Sequence, residues 1–196
     1  MTFAGLVRTS LIDYPGVPAC VVFTAGCPYA CTFCHNRRTQ DGSATIPPEP
    51  VYAFLRKRAG LLGGVVVSGG EPTIQPDLSD FCRFLKQLGY RIKLDTNGCR
   101  PDVVEDILLD GLADYIAIDY KAPAARYREI CGPGANPDQV LRTIAKVQAS
   151  GVPYELRTTL FPGLTEADWQ TMQTEIRDNL GKTPDFWRRN EFRPPE

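Results

Sequence analysis

Cys27, Cys31 and Cys34 stand at C-x3-C-x2-C spacing within Gly26–Asn36, directly after the apolar run Ala19–Phe23. A short strand therefore delivers the chain into a tight cysteine loop. Three thiolates on one loop can hold three irons of a [4Fe–4S] cluster, which normally takes four protein cysteines. One iron is then open, and an open coordination position marks a metal centre that does chemistry, as it does in catalytic zinc sites. Zinc and plain buried thiols are the alternatives. A structural zinc wants a fourth ligand, usually from a second cysteine pair, whereas Cys82, Cys99 and Cys131 each stand alone. His35 adjoins Cys34, and sequence neighbours rarely reach one ion with good geometry.

Further polar residues fall where strands end. Gly64–Ser68 is a β-branched run without alternation, as expected of a strand covered on both faces, and it runs into Gly69-Gly70-Glu71-Pro72. The strand Arg91–Leu94 ends at Asp95-Thr96-Asn97-Gly98, and Tyr115–Ile118 ends at Asp119-Tyr120-Lys121. Tyr154–Leu160 carries Arg157-Thr158-Thr159 before Pro162-Gly163. Helices are expected between them near Pro48–Arg58, Asp77–Leu88, Pro101–Leu109 and Pro137–Ala149, with a last one over Glu166–Asn179. Strands alternating with helices imply a parallel sheet. The units are too few for a closed eight-stranded barrel, so the expected fold is α/β, an incomplete (β/α) barrel of about five to six parallel strands. Active sites of such folds collect at the C-terminal strand ends. Any one of these segments reads as a turn; their succession, one strand end after another, marks a site.

The chain of 196 residues has the length of one domain, taken as residues 1–180 with a C-terminal tail at 181–196. A net charge of −1 gives no general attraction to nucleic acid or acidic membrane. Seven cysteines, three of them clustered, do not form a secreted disulfide framework. Neither a charged-then-apolar leader nor a membrane-length apolar run is present, which points to the cytoplasm and a reducing, oxygen-poor setting. Cys20, within a strand, and Cys82, on an apolar helix face, read as core; Cys99, following a strand end, reads first as buried too, with a place near the site as its alternative. The tail mixes Trp187, Arg188, Arg189 and Arg193 with prolines and reads as a loose terminus.

Together these residues resemble the radical S-adenosylmethionine (SAM) superfamily, and more narrowly the activating enzymes of glycyl radical enzymes. The resemblance spans about Thr9 to Leu164. Its narrower signs are Thr9-Ser10-Leu11-Ile12-Asp13-Tyr14-Pro15-Gly16, Cys34-His35-Asn36, Ser68–Pro72, Asp95–Gly98, Asp119–Lys121 and Leu156–Thr159. Within the activases it is most similar to those of anaerobic (class III) ribonucleoside-triphosphate reductase. The resemblance implies one [4Fe–4S] cluster on Cys27, Cys31 and Cys34, because residues 35–68 add no cysteine, with SAM chelated at the open iron. It implies that Gly69 and Gly70 let the backbone approach the methionine end of SAM, and that Glu71 meets the ammonium or fixes the loop. Lys121 and Arg157 are candidates for the SAM carboxylate, or else a structural ion pair with Asp119 or Glu155. Asp95, Thr96, Asn97 and Asp119 would bind ribose hydroxyls or position the cations, Phe33 would present its ring and backbone to the adenine, and His35 would join the cofactor contacts.

The implied activity is reductive cleavage of SAM to a 5′-deoxyadenosyl radical that takes a hydrogen from a glycine of the reductase. Electrons would come from a flavodoxin- or ferredoxin-like donor. Another glycyl radical enzyme, or a small-molecule or peptide substrate, is the alternative; a non-catalytic iron–sulfur carrier is a lesser one. An incomplete barrel would leave an opening wide enough for a peptide loop.

Overall fold

The computed structural model describes residues 1–43 and 45–194. Seven strands form one sheet in sequence order: β1 (Phe3–Ser10), β2 (Ala19–Thr24), β3 (Gly64–Gly69), β4 (Arg91–Thr96), β5 (Tyr115–Asp119), β6 (Tyr154–Leu160) and β7 (Trp187–Glu191). From β2 to β7 every pairing is parallel, and β1 lies antiparallel on β2. The fold is thus the expected α/β partial barrel, with six parallel strands and an antiparallel addition. It does not close, because β1 and β7 are its two edges.

The longer helices connect consecutive parallel strands: α2 (Pro48–Arg58), α3 (Leu78–Gln87), α4 (Pro101–Leu109), α6 (Pro137–Ser150) and α7 (Glu166–Leu180), with short α1 (Arg37–Gln40) and α5 (Tyr127–Cys131) between them. Prolines open α2, α4 and α6 at their first turn, where the missing N–H costs nothing. Each helix buries one stripe, such as Leu78, Phe81, Cys82 and Leu85 of α3 or Val140, Thr143, Ile144 and Val147 of α6.

The strands are buried on both faces, and the alternation of side chains sorts them into two cores. Cys20, Val22, Val65, Val67, Ile92 and Leu94 face the helices in the larger one. Ala19, Val21 and Val66 face inward and meet Tyr14 and Val17 in a smaller one. The Asp13-Tyr14-Pro15-Gly16 stretch is therefore more than a turn. Buried Tyr14 plugs the N-terminal end of the inner face, its ring 6.0 Å from that of Tyr115. Among the described residues no helix is long and apolar enough to cross a membrane.

Two expectations are corrected. The first strand is not Ala19–Phe23, because β1 precedes it. The tail is not a loose terminus. Its residues Trp187–Glu191 pair in parallel with Leu156–Leu160, Trp187 lies 4.6 Å from Trp169 between ring centroids, and its Nε1 donates to Thr158 Oγ1 at 2.9 Å. Pro195 and Glu196 of that tail lie outside the described residues, as does Ala44 of the connection before α2.

Candidate active site

At the C-terminal ends of the parallel strands lies a cavity of about 540 Å³, within the size range of small-molecule and cofactor sites. Its lining includes every side chain singled out above as a candidate, from Cys27 through Arg157. What each of these residues touches differs from expectation in several places.

The cysteine loop leaves β2 and is tied at both flanks. Gly26 N and Cys27 N donate to Thr39 O and Gln40 O of α1, while Ala30 N and Thr32 N donate to Cys131 O and Ile130 O of α5. These bonds hold Cys27, Cys31 and Cys34 half-buried against one cavity. Burial pushes the Cys27 thiol up to about 11 and Cys34 upward too, whereas the neighbouring Cys131 thiol brings Cys31 down. Asn97 Nδ2 donates to Cys27 Sγ at 3.6 Å.

Gly69 and Gly70 serve a closer neighbour than a ligand. A Cβ on Gly70 would stand 2.0 Å from Gly26 O, and one on Gly69, where φ is +113°, 2.3 Å from Thr24 N. No other residue type lets β3 turn under the cysteine loop at that distance. Glu71 fixes the loop. It is buried, with Thr73 N, Thr73 Oγ1, Thr96 Oγ1 and Asn97 N all donating to its carboxylate at 2.5–3.0 Å. Burial pushes its carboxyl up, and these four donors oppose that shift. Thr96 and Asn97 are consequently engaged within the protein, Asn97 Oδ1 also accepting from Cys99 N at 2.9 Å. Cys99 is buried behind this wall, 3.9 Å from Thr73 Oγ1, near the site but outside its lining.

The cations form ion pairs at the strand ends. Arg157 bridges two carboxylates, Nε to Asp119 at 2.9 Å and Nη1 to Asp95 at 3.0 Å; Lys121 Nζ meets Asp119 at 2.9 Å. Below them Lys93 pairs with Asp95 at 2.5 Å and Glu155 at 3.7 Å. Glu155 Oε2 also lies 3.2 Å from Arg188, without hydrogen-bond alignment. The partner of Lys121 and Arg157 is thus Asp119, joined by Asp95, and not Glu155. Burial pushes Asp119 up, but Arg157 and Lys121 outweigh it and bring the carboxyl down to about 2. Asp95 is lowered in the same way by Arg157 and Lys93. Burial works against Lys121 and Arg157 as cations, yet Asp119 holds both pKa values above their ordinary range. The site thus presents permanent, mutually oriented charges.

Phe33 lines the cavity with its ring already stacked on a neighbour. It stacks on Phe161 with centroids 4.4 Å apart and planes 10° apart, and Lys121 Nζ lies 5.8 Å from its centroid. His35 lines the rim and is exposed. Several lining residues were missed: Asp13, Tyr29 and Gln40, and Asn190, Glu191, Phe192 and Arg193 at the end of β7. The tail residues carry no periodic signal, and only their pairing on β6 brings them to the cavity.

Residues 21–175 match the model of the radical SAM superfamily. The chain belongs to the radical SAM superfamily. It is 32% identical over 185 residues to MJ1227 of Methanocaldococcus jannaschii, which carries the provisional name of a glycyl-radical enzyme activating enzyme; the match covers 89% of this chain and 75% of that protein. It is 32% identical over 168 residues to the pyruvate formate-lyase-activating enzyme of Clostridium pasteurianum, covering 80% and 67%. Its fold matches the solved structure of anSMEcpe with bound AdoMet at a TM-score of 0.65 and 14% identity, across 87% of this chain and 50% of that one.

The cofactors of this radical SAM protein are a [4Fe–4S] cluster on three cysteines and SAM. The chain's own groups fit them. Three half-buried thiols line one cavity, and among the described residues no three His, Cys, Asp or Glu side chains converge on a single-ion site. That is the donor set of a cluster, in which each thiolate takes a different iron. When bound, the reduced cluster supplies the electron that cleaves the SAM sulfonium bond. The protein orients and shields: Asn97 aims an amide at the Cys27 sulfur, Glu71 locks β3 and β4 under the loop, and Lys121 and Arg157 set cationic groups at the cavity wall.

Proposed function

We propose that this radical SAM protein activates a glycyl radical enzyme, and that its target is an anaerobic ribonucleoside-triphosphate reductase. The 5′-deoxyadenosyl radical made from SAM takes a hydrogen atom from the α-carbon of one glycine in the partner, leaving 5′-deoxyadenosine and a glycyl radical. A flavodoxin- or ferredoxin-like protein supplies the electron. In this reading Cys27, Cys31 and Cys34 hold the cluster, and Lys121 and Arg157 receive the SAM carboxylate alongside their aspartate partners.

One observation carries the choice of a macromolecular substrate. The cavity lining runs from Asp13, in the β1–β2 connection, to Asn190–Arg193 at the end of β7, and among the described residues β1 and β7 do not pair with each other. A cavity in an unclosed sheet gives an extended loop of a partner a way in. The similarity to MJ1227 and to the pyruvate formate-lyase-activating enzyme supports activase chemistry. The Thr9–Gly16 and Cys34–Asn36 stretches support the reductase as target through their resemblance to its activases. The C. pasteurianum relative favours a second reading, the same chemistry on another glycyl radical enzyme.

Anaerobic EPR tests both. The protein, reconstituted with iron and sulfide, is reduced and given SAM with a class III reductase or with pyruvate formate-lyase. A glycyl doublet with the reductase alone, lost in Cys31→Ala, is the expected result. A doublet only with the lyase transfers the assignment to the second reading, and SAM cleavage with no doublet from either overturns both.

A further inference from the structure

Lys93 is a buried charge that no step of the radical chemistry uses. It stands in register with Val21 and Val66, which fill the same layer of the inner face on β2 and β3. An apolar side chain would suit that layer, yet an ammonium is placed there at 2% exposure, which is costly unless it is paired. Its carboxylate partners are Asp95, two residues on and on the same face of β4, at 2.5 Å, and Glu155 at 3.7 Å. The bonds at Asp95 are divided between its two oxygens. Oδ1 accepts from Lys93, while Oδ2 accepts from Arg157 Nη1 at 3.0 Å and Ser68 Oγ at 3.1 Å. Arg157 is divided as well: its Nε donates to Asp119 Oδ1, and Nη2 has no hydrogen bond among the described residues. The other Asp119 oxygen accepts from Lys121. Were Asp95 Oδ1 free, the carboxylate would be able to turn both oxygens to the guanidinium fork, the bidentate pairing that arginine favours, and draw it off Asp119. Lys93 blocks that turn.

We propose that Lys93 is a positioning residue for SAM: by holding one oxygen of Asp95 it keeps Arg157 spanning Asp95 and Asp119, with Nη2 left for the ligand's carboxylate. Without it the guanidinium closes on Asp95 and the ligand loses that donor. Glu155 balances the charge of Lys93 and is shared with Arg188 of β7 at 3.2 Å, so the terminal strand is fastened to the same support. The proposal rests on the reading that Arg157 receives the SAM carboxylate and is independent of which protein is the substrate.

The test is equilibrium dialysis of SAM against the full chain, reconstituted anaerobically and left unreduced so that no SAM is consumed. Lys93→Met combined with Glu155→Gln removes the ammonium together with the charge of its second partner. This double variant should keep wild-type iron content and raise the Kd for SAM about tenfold, the weight of one hydrogen bond to a charged group. Arg157→Met should also weaken binding, and adding it to the double variant should bring no more loss than Arg157→Met alone, because a residue that acts through another is not additive with it. A purely structural role for Lys93 would instead give additive losses. A wild-type Kd in the double variant, or an equal loss from it with and without Arg157, would overturn the proposal. If the double variant takes up no iron, Asp95→Asn decides in its place: its side chain cannot accept from both cations, so SAM binding should weaken, and an unchanged Kd overturns the proposal. Unchanged binding in Arg157→Met would instead remove Arg157 from the SAM contacts, and the reading on which the proposal stands with it.

Discussion

Glu71 shows how a sequence can place a motif residue and leave two partners open, a ligand's ammonium or the loop itself. Its carboxylate faces four donors drawn from Thr73, Thr96 and Asn97, so its work is done before any ligand arrives. Glu71→Gln would place an amide N–H where an acceptor is required, leaving at least one buried donor unpaired. The expected cost is about 1–3 kcal/mol to the cofactor-free protein, read by urea denaturation without SAM. Unchanged stability with weakened SAM binding would return Glu71 to a ligand role. Gly70 follows the same logic at shorter range, since the atom a side chain would strike is Gly26 O of the cysteine loop. In both cases the motif serves the cluster by holding its loop.

At the scale of elements, β4, β5 and β6 present Asp95, Asp119 and Arg157 as one ion-paired row. Arg157 is the hinge of that row, so Arg157→Met leaves Asp119 with Lys121 alone and Asp95 with Lys93 alone, at a cost of about 3 kcal/mol near neutrality. The pH dependence has a definite sign. Asp119 and Asp95 have folded-state pKa values below their ordinary range, so their stabilisation is complete above about pH 4 and is lost as pH falls through the folded values, for Asp119 about 2. Without Arg157, the largest of the charges lowering them, both carboxyls rise while Lys121 and Lys93 remain, which shrinks that acid loss. The Tm gap between wild type and Arg157→Met should therefore narrow on acidification from pH 7 to pH 3 in thermal melts. A gap that stays constant would show that the row contributes no linked stability.

At the scale of the molecule, the terminal strand completes both the sheet and the cavity. Trp187 ties β7 to α7 through Trp169 and to β6 through Thr158. Trp187→Ala should cost about 2 kcal/mol in chemical denaturation, less than a fully buried tryptophan because Trp187 is only half-buried; a loose tail would lose nothing. The parallel sheet and its strand ends were legible because strands buried on both faces read as β-branched runs and because turn-forming polar residues punctuate them. β7 was not legible, because Trp187-Arg188-Arg189-Asn190-Glu191 has the charged composition that edge strands carry and no apolar run to announce it. By itself the sequence determined the cysteine triad on one loop, the superfamily and the set of residues gathered at one end of the sheet, since spacing along a loop and position at a strand end are local properties. Only the tertiary structure decided which partner each residue holds: Glu71 on the loop donors, Phe33 on Phe161, Arg157 between two aspartates, Cys131 behind Cys31. Apart from Thr73, which neighbours Glu71, those pairings join residues 25 to 128 positions apart in the chain, and a hydrogen bond or a stacked ring depends on distance and direction in space, which no spacing along the chain encodes.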